Sequence, residues 1–174
     1  MTDSEGRVQV YTGNGKGKTT AAIGLAVRAL GAGMKVYFAQ FLKGGGYSET
    51  NMLKTFGGLV LRHYGAGGFI IRRDPTDEDR AAADRGLEEA REALRSGLYD
   101  LVILDEANVA YGLGLITKDD LMSLLRERRG RTELILTGRN APPELIEAAD
   151  LVTEMREVKH YFASGLAARR GVES

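Results

Sequence analysis

The stretch that most constrains this chain is a short apolar run, followed by a glycine-rich loop and then by a helical pattern. The run around Val8 and Val10 ends at Thr12, and apolar residues recur at helical spacing from Thr19 to about Leu30. Between them lies the loop Gly13-Asn14-Gly15-Lys16-Gly17-Lys18-Thr19-Thr20. Glycines allow several backbone N–H groups to converge on one anion, and the N-terminus of the next helix directs its positive dipole to the same place. This order of strand, loop and helix predicts a phosphate loop that holds the polyphosphate of ATP.

Individual residues of the loop have separate expected roles. Lys18 can reach along the polyphosphate, and the Thr19 hydroxyl can coordinate Mg²⁺. The spacing departs from the usual pattern, because Thr12 stands five residues before Gly17, where a glycine is common. We therefore expect a tighter loop than in ordinary ATPases. A glycine-rich turn with an accidental Gly-Lys-Thr is the alternative, but the flanking strand and helix argue against it.

Strand and helix patterns alternate along the rest of the chain. Apolar runs at residues 36–39, 59–61, 101–104, 134–136 and 151–153 predict strands. Helices are predicted after Thr76, which has Asp79 three residues on, from Thr117 to about Arg128, and from residues 142–143 to Ala149. The sequence therefore predicts a single α/β domain over residues 1–174. Its expected form is a three-layer, P-loop NTPase-like (RecA-like) fold with a mostly parallel sheet between helices.

Two acidic residues, Asp105 and Glu106, end the apolar run at residues 101–104. They are able to cap the next turn, but the carboxyl ends of parallel strands are where α/β proteins bind their ligands. We therefore predict Asp105 as a Mg²⁺ ligand of the nucleotide site. The role of Glu106 stays ambiguous, because in hydrolytic enzymes a carboxylate at this position orients the attacking water.

The amino-acid composition limits the classes of partner and site that this chain is expected to have. Lys plus Arg and Asp plus Glu both total 24, so the net charge is zero and no overall positive field favours nucleic acid or an anionic membrane. The chain has no cysteine, which excludes disulfides and thiolate metal sites. Residues 1–6 are polar, and no apolar run is long enough to cross a bilayer. We expect a cytoplasmic protein with neither a nucleic-acid nor a membrane partner.

Five segments, in order and at matching intervals, resemble the P-loop corrinoid adenosyltransferases. They are residues 11–22, 40–44, 104–110, 136–142 and 149–155, the last followed by Val158-Lys159-His160. That family transfers the 5′-deoxyadenosyl group of ATP to the reduced cobalt of a corrinoid and releases inorganic triphosphate. Its members bind ATP in a reversed direction, which exposes the 5′ carbon and makes the triphosphate the leaving group. The resemblance also implies Mg²⁺, a homodimer and a flavoprotein reductase as electron donor.

The resemblance assigns roles to particular residues. It implies that residues 14–20 hold the triphosphate and Mg²⁺, that Arg139 contacts a phosphate or the ribose, and that Glu106 lies near the sugar or the metal. Phe69 matches an aromatic residue that helps to displace the lower axial ligand of the corrin, which makes cobalt(II) easier to reduce. From the residues alone, a buried strand is the better interpretation of Phe69-Ile70-Ile71. Ile71 stands where some relatives have a second aromatic residue. The group that displaces the axial ligand is therefore expected to be built differently in this chain.

Three other functions stay open at this point. An ATP-hydrolysing motor or switch domain would use Asp105 and Glu106 as its acidic pair, and a small-molecule kinase or a non-catalytic nucleotide-binding module would use the same loop. Against a motor on single-stranded nucleic acid, the chain lacks basic residues interleaved with aromatic ones. The identity of the phosphate product would distinguish a transferase from a hydrolase.

Overall fold

A computed structural model describes residues 5–44, 47–65, 73–161 and 165–172. The described residues contain six strands: β1 (Val8–Thr12), β2 (Val36–Phe41), β3 (Leu59–Tyr64), β4 (Leu101–Asp105), β5 (Glu133–Thr137) and β6 (Leu151–Glu154). They also contain six helices: α1 (Lys18–Gly31), α2 (Ser48–Leu53), α3 (Asp77–Ser96), α4 (Ala107–Gly112), α5 (Lys118–Glu127) and α6 (Pro143–Ala148). Each strand and helix predicted above is present within a few residues of its expected bounds.

The strands form one sheet in the order β3-β2-β4-β5-β1-β6, and every neighbouring pair is parallel. The expected mostly parallel sheet is therefore confirmed, and in the described residues it is parallel throughout. Because all strands run in one direction, their carboxyl ends meet at the same edge of the sheet. The loop after β1 and the acids at the end of β4 thus lie at that edge, separated by the single strand β5.

Helices cover both faces of the sheet, which confirms the three-layer P-loop NTPase-like fold. Helix α1 packs on one face through Ala22, Ala26 and Ala29, against strand residues that include Phe38 and Ile103. Helices α3, α4, α5 and α6 pack on the opposite face, where a larger apolar cluster forms. Alanines on α1 let the helix lie close to the sheet, so the loop that precedes it is held firmly against the strand ends.

Local signals explain where the longer helices begin. Thr76 caps α3 and Thr117 caps α5, and in each case a reciprocal pair of hydrogen bonds joins the threonine to an aspartate three residues later. This arrangement satisfies N–H groups that otherwise lack partners in the first helical turn. The cap expected at Thr76 and Asp79 is confirmed.

The sequence analysis missed two short helices, α2 and α4. Each has only six residues, too few to establish a helical period, and neither begins with a local start signal such as the proline pair of the equally short α6. Both directly follow the carboxyl end of a strand or its loop, so they form part of the edge where the candidate site lies. None of the helices in the described ranges is both long and apolar enough to span a membrane.

Candidate nucleotide site

The phosphate loop (residues 13–20) connects β1 to α1, and the fold explains its glycines. Gly13 and Gly17 have φ angles of 92° and 117°, in the left-handed region that favours glycine. A Cβ atom at Gly13 or Gly15 would lie 2.5 or 2.7 Å from the carbonyl oxygen of Met155. The loop is therefore pressed against the chain just beyond β6, and side chains at these positions would prevent that contact.

Met155 fixes the loop by backbone hydrogen bonds. The Gly15 N–H donates to the Met155 carbonyl at 2.6 Å, and the Met155 N–H donates to the Thr12 carbonyl at 2.8 Å. The Gly15 N–H is thus engaged within the protein in this structure. The N–H groups of the first turn of α1 have no carbonyl of their own helix to bind, so they are the donors best placed for an anion.

Lys18, the first residue of α1, lies folded back into the loop. Its ammonium donates hydrogen bonds to the carbonyls of Gly13 and Gly15 at 2.7 and 2.8 Å, and its side chain is almost completely buried. Burial lowers the pKa of Lys18, and although the Glu106 carboxylate opposes this effect, the pKa stays below its ordinary value. The cation is therefore held at the mouth of the loop, where an anionic group would give it a stronger partner.

Asp105 links the loop to the sheet, and its carboxylate is fully buried. Its Oδ1 accepts hydrogen bonds from the hydroxyls of Thr19 at 2.8 Å and Thr137 at 2.7 Å. Its Oδ2 accepts from the Gln40 side-chain amide at 3.1 Å and from the Lys43 ammonium at 3.0 Å. The structure therefore brings together the two residues predicted to bind the metal, Thr19 and Asp105, and adds three neighbours that the sequence analysis had not assigned.

The register of the sheet explains this cluster. Gln40 on β2 is paired with Asp105 on β4, and Leu104 is paired with Leu136, which places Thr137 on β5 beside Asp105. The three side chains form a polar row across the carboxyl edge, on the face that α1 covers. Thr19 in the first turn of α1 lies above this row. Only the pairing of strands distant in sequence creates the row, so no local pattern could have revealed it.

Glu106 occupies a strained position directly after the row. Its φ angle is 62°, uncommon for a residue with a side chain, and its N–H donates to the Thr137 hydroxyl at 3.0 Å. Burial and the neighbouring Asp105 carboxylate raise the pKa of Glu106, although Lys43, Lys18 and Arg139 pull in the opposite direction. Backbone strain of this kind concentrates at functional sites, because the surrounding structure must hold it in place.

Arg139 lies on the loop after β5, close enough to influence the charges of both Lys18 and Glu106. The preceding Gly138 has a φ angle of 131°, and a Cβ there would lie 2.9 Å from the backbone nitrogen of Val109. Gly138 therefore allows the Arg139 loop to lie directly against α4. The side chain of Arg139 itself is exposed at this edge, which leaves it available to a ligand.

Other residues of the phosphate loop face outward. Asn14 and Thr20 are exposed, as is Lys16, whose ammonium donates to the Tyr161 hydroxyl at 3.1 Å and to the Val172 carbonyl at 2.8 Å. The C-terminal segment thus lies against the loop from outside. The predicted phosphate contacts of Asn14, Lys16 and Thr20 stay predictions. Phe69 and Ile71 fall outside the described residues.

The oxygen-rich donor set around Asp105 fits a hard cation such as Mg²⁺. The side-chain oxygen Oε1 of the buried Gln40 has no hydrogen-bond partner in the described part of the chain, so an acceptor beside Asp105 is left unsatisfied. No three carboxylates or histidines of the described residues cluster to form a complete cage. A cation here would take its remaining ligands from water and from nucleotide phosphates, which is the usual arrangement for Mg²⁺.

Two shallow clefts in the described chain lie away from this edge. One, of about 400 Å³, is lined by Arg7, Gln9, Glu133, Asp150 and Leu151. The other, of about 440 Å³, lies between β3 and α3, and its lining includes Tyr37 and Glu89. Neither contains a residue of the phosphate loop or the polar row. The candidate site is therefore identified by its convergent donors and charges and not by these two clefts.

Comparison with known proteins gives matches along nearly the whole chain. The sequence model of the family ATP:corrinoid adenosyltransferase BtuR/CobO/CobP matches residues 4–174. A curated relative named corrinoid adenosyltransferase, from Sinorhizobium sp, is 39% identical over 175 residues, covering 99% of this chain and 82% of the relative. Relatives of the same name from Pseudomonas aeruginosa PAO1 and Escherichia coli K12 are 39% and 37% identical over 172 residues. These two alignments cover 98% of this chain, with 85% and 87% of the respective relatives.

Proposed function

This chain belongs to the ATP:corrinoid adenosyltransferase family and is an enzyme that adenosylates corrinoids; from that premise we propose the chemistry of its site. Cobalt(I) of the corrinoid donates its electron pair to C5′ of ATP, a cobalt–carbon bond forms, and the C5′–O bond breaks. The electrons of that bond leave with inorganic triphosphate. The product serves adenosylcobalamin biosynthesis or salvage.

In this proposal the phosphate loop holds a leaving group. The first-turn N–H groups of α1 and the Lys18 ammonium stabilise the negative charge that develops on the departing triphosphate. The nucleophile is the cobalt of the substrate, so the protein needs no general base to create one. The main task of the fold is then to hold ATP so that C5′ extends beyond the phosphate loop and lies against the cobalt. Arg139, exposed at the same edge, supplies a further contact to a phosphate or the ribose.

Thr19 and Asp105 are the residues that would hold Mg²⁺ with the triphosphate. A divalent cation there would supply Lewis-acid stabilisation of the leaving group. The Thr19 hydroxyl directs its proton to Asp105, which leaves its oxygen lone pairs free for a cation. The unpartnered Oε1 of Gln40 can accept a hydrogen bond from a water molecule bound to that cation. Glu106 lies beside this group, near the sugar or the metal.

The observation that carries the proposal is the match to corrinoid adenosyltransferases over residues 4–174, which includes the phosphate loop and Asp105. The resemblance further supports a homodimer, a flavoprotein reductase that reduces the cobalt, and a cytoplasmic location. It also supports residues 1–174 acting as one domain, with Phe69 displacing the lower axial ligand.

ATP hydrolysis is the second candidate function, and one observation favours it. Glu106 is a partly buried carboxylate with a raised pKa beside the predicted metal ligand, a position from which a hydrolase orients water. The two functions differ in their phosphate products. We would incubate the protein with ATP, Mg²⁺ and a chemically reduced corrinoid and then identify the phosphate released.

Intact triphosphate, together with a light-sensitive cobalt–carbon product, is the expected result. ADP and phosphate, formed equally well without corrinoid, would contradict the transfer reaction. A control with Lys18→Ala tests whether the triphosphate comes from the same site, because that variant lacks the cation of the loop.

A further inference from the structure

Lys43 is a partly buried cation in the candidate site to which nothing above gives a role. It follows β2 by two residues, and its Nζ lies 3.0 Å from Oδ2 of Asp105. Its side chain is only 15% exposed, and the side chain of Asp105 is completely buried. A lysine paired so closely with a predicted metal ligand fills part of the space that a metal cation would take. It also neutralises the negative charge that would attract that cation.

Asp105 has no acceptor capacity left in this structure. A carboxylate offers about four lone-pair sites, and four donors approach it: the hydroxyls of Thr19 and Thr137 on Oδ1, with Gln40 and Lys43 on Oδ2. A cation, or a water molecule bound to one, must therefore displace a donor before it can contact Asp105.

Lys43 is the donor that can leave. Gln40 and Thr137 are fully buried on central strands. Thr19 can keep its hydrogen bond to Asp105 while its oxygen binds a cation. The Lys43 ammonium instead sits on a flexible four-carbon stem, and the centroid of the Tyr47 ring, 5.2 Å from Nζ, offers the same cation a contact that does not depend on Asp105.

The backbone around Lys43 is fixed, so movement is confined to its side chain. Leu42 has a φ angle of 63°, and its N–H donates to the Tyr64 carbonyl at 2.9 Å. A Cβ at Gly65 would lie 2.7 Å from the backbone nitrogen of Lys43, so the end of β3 packs directly against this turn. These contacts hold the start of the Lys43 side chain beside Asp105.

We propose that Lys43 is a positioning residue that neutralises Asp105 when no metal is bound and moves onto the triphosphate when the metal–nucleotide complex binds. The inference rests on the proposed function in one respect, the presence of a metal–triphosphate complex. Repulsion between the ammonium and an arriving divalent cation drives the side chain from Oδ2, and the anionic triphosphate gives it a new partner. Lys43 thus opposes binding of the metal alone and favours binding of the metal with triphosphate.

Binding of Mn²⁺ tests the proposed role of Lys43 without any transfer chemistry. Mn²⁺ accepts the same oxygen ligands as Mg²⁺, and the concentration of free Mn²⁺ is measured by electron paramagnetic resonance. The full chain and Lys43→Met are titrated with Mn²⁺ alone, and then with inorganic triphosphate at saturating Mn²⁺. We expect Lys43→Met to bind Mn²⁺ alone about tenfold more tightly and to bind triphosphate about tenfold more weakly.

Matched variants isolate the charge of Lys43. Lys54→Met removes a nearby exposed lysine that does not contact Asp105, and it should change neither affinity. Lys43→Arg keeps the charge and should bind Mn²⁺ alone as weakly as the parent chain. If Lys43→Met does not fold, Lys43→Gln, which can still donate to Asp105 but carries no charge, should give the same two opposite shifts.

Unchanged or weaker binding of Mn²⁺ alone in the folded Lys43→Met variant would overturn the proposal. Tighter Mn²⁺ binding with unaltered triphosphate affinity would overturn the movement of Lys43 onto the triphosphate. Neither outcome bears on adenosyl transfer, which the phosphate product reports separately. If the chain hydrolyses ATP and still shows both shifts in affinity, the inference about Lys43 stands and the proposed transfer reaction is contradicted.

Discussion

The side-chain hydroxyl of Thr19 donates a hydrogen bond of 2.8 Å to Oδ1 of Asp105, which lies 86 residues further along the chain. This contact joins the first turn of α1 to the end of β4, across the intervening strand β5. It aligns a hydroxyl oxygen and a carboxylate, both suitable for Mg²⁺, beside the phosphate loop. The contact therefore holds the two predicted metal ligands side by side.

Replacing Thr19 by valine should reduce kcat/KM by about 100-fold, because the isosteric side chain lacks the oxygen that would bind the metal. Steady-state kinetics with a pre-reduced corrinoid measures the loss. Thr19→Ser keeps the hydroxyl and should retain most of the activity. A larger loss in Thr19→Ser than in Thr19→Val would show that the methyl group, and not the hydroxyl, matters at this position.

Lys18→Ala should lower turnover by about 100-fold or more, because the ammonium at the mouth of the loop stabilises the departing triphosphate. The same kinetic assay applies, with triphosphate as the measured product. Lys35→Ala removes an exposed lysine at the opposite end of β2 and provides the control. Nearly full activity of Lys18→Ala would mean that the triphosphate is held elsewhere.

Gly15→Ala should destabilise the protein by about 2 kcal/mol, because the new Cβ would lie 2.7 Å from the Met155 carbonyl oxygen and backbone atoms cannot easily yield. Urea unfolding measures the free energy. Gly24 in α1 has open space around its Cβ position, so Gly24→Ala should instead stabilise by about 0.5–1 kcal/mol. Shifts of the same sign in both variants would contradict the close packing of Met155 on the loop.

Phe69→Ala should slow the reaction much more when it starts from cobalt(II) and a protein reductase than when it starts from pre-reduced cobalt(I). The expectation follows from the family resemblance, in which this aromatic residue displaces the lower axial ligand before reduction. Rates of cobalt–carbon bond formation from the two starting states provide the comparison. Equal losses from both states would limit Phe69 to a packing role.

Stability should fall in acid partly through Asp79, whose carboxylate binds Arg73 and caps α3 with Thr76. The hydrogen bond from Arg73 holds the pKa of Asp79 well below its usual range. A pKa that is lower in the folded than in the unfolded state stabilises the fold above the unfolded value of about 3.9. That stabilisation is lost as the pH falls from there towards the folded value.

Urea unfolding at pH 7 and pH 3 tests this effect. Asp79→Asn should be less stable than the parent chain at pH 7, and the difference between the two should shrink at pH 3. Asp84→Asn removes an equal charge from the exposed face of the same helix and is the matched control. A constant difference between the parent chain and Asp79→Asn at both pH values would contradict the assigned role of Asp79.

Most of the fold could be predicted because its signals are local. The apolar runs around Ile103 and Leu136 define strands, and the threonine caps define the starts of α3 and α5. Helices α2 and α4 could not be predicted, since six residues give no clear period and neither helix has a side-chain cap or a proline at its start. The candidate site was predictable only in part: Thr19 and Asp105 carry recognisable local patterns, but Gln40 and Thr137 do not.

The sequence by itself determined that this chain has a phosphate loop between a strand and a helix, because the anion-binding groups are consecutive backbone amides and their glycines are contiguous. It also determined the family, through segments that keep their order and spacing. Only the tertiary structure decided what surrounds the loop. Met155 presses on its glycines, and Lys43 neutralises Asp105. These contacts depend on strand order and register, which distant parts of the chain set together when the sheet forms.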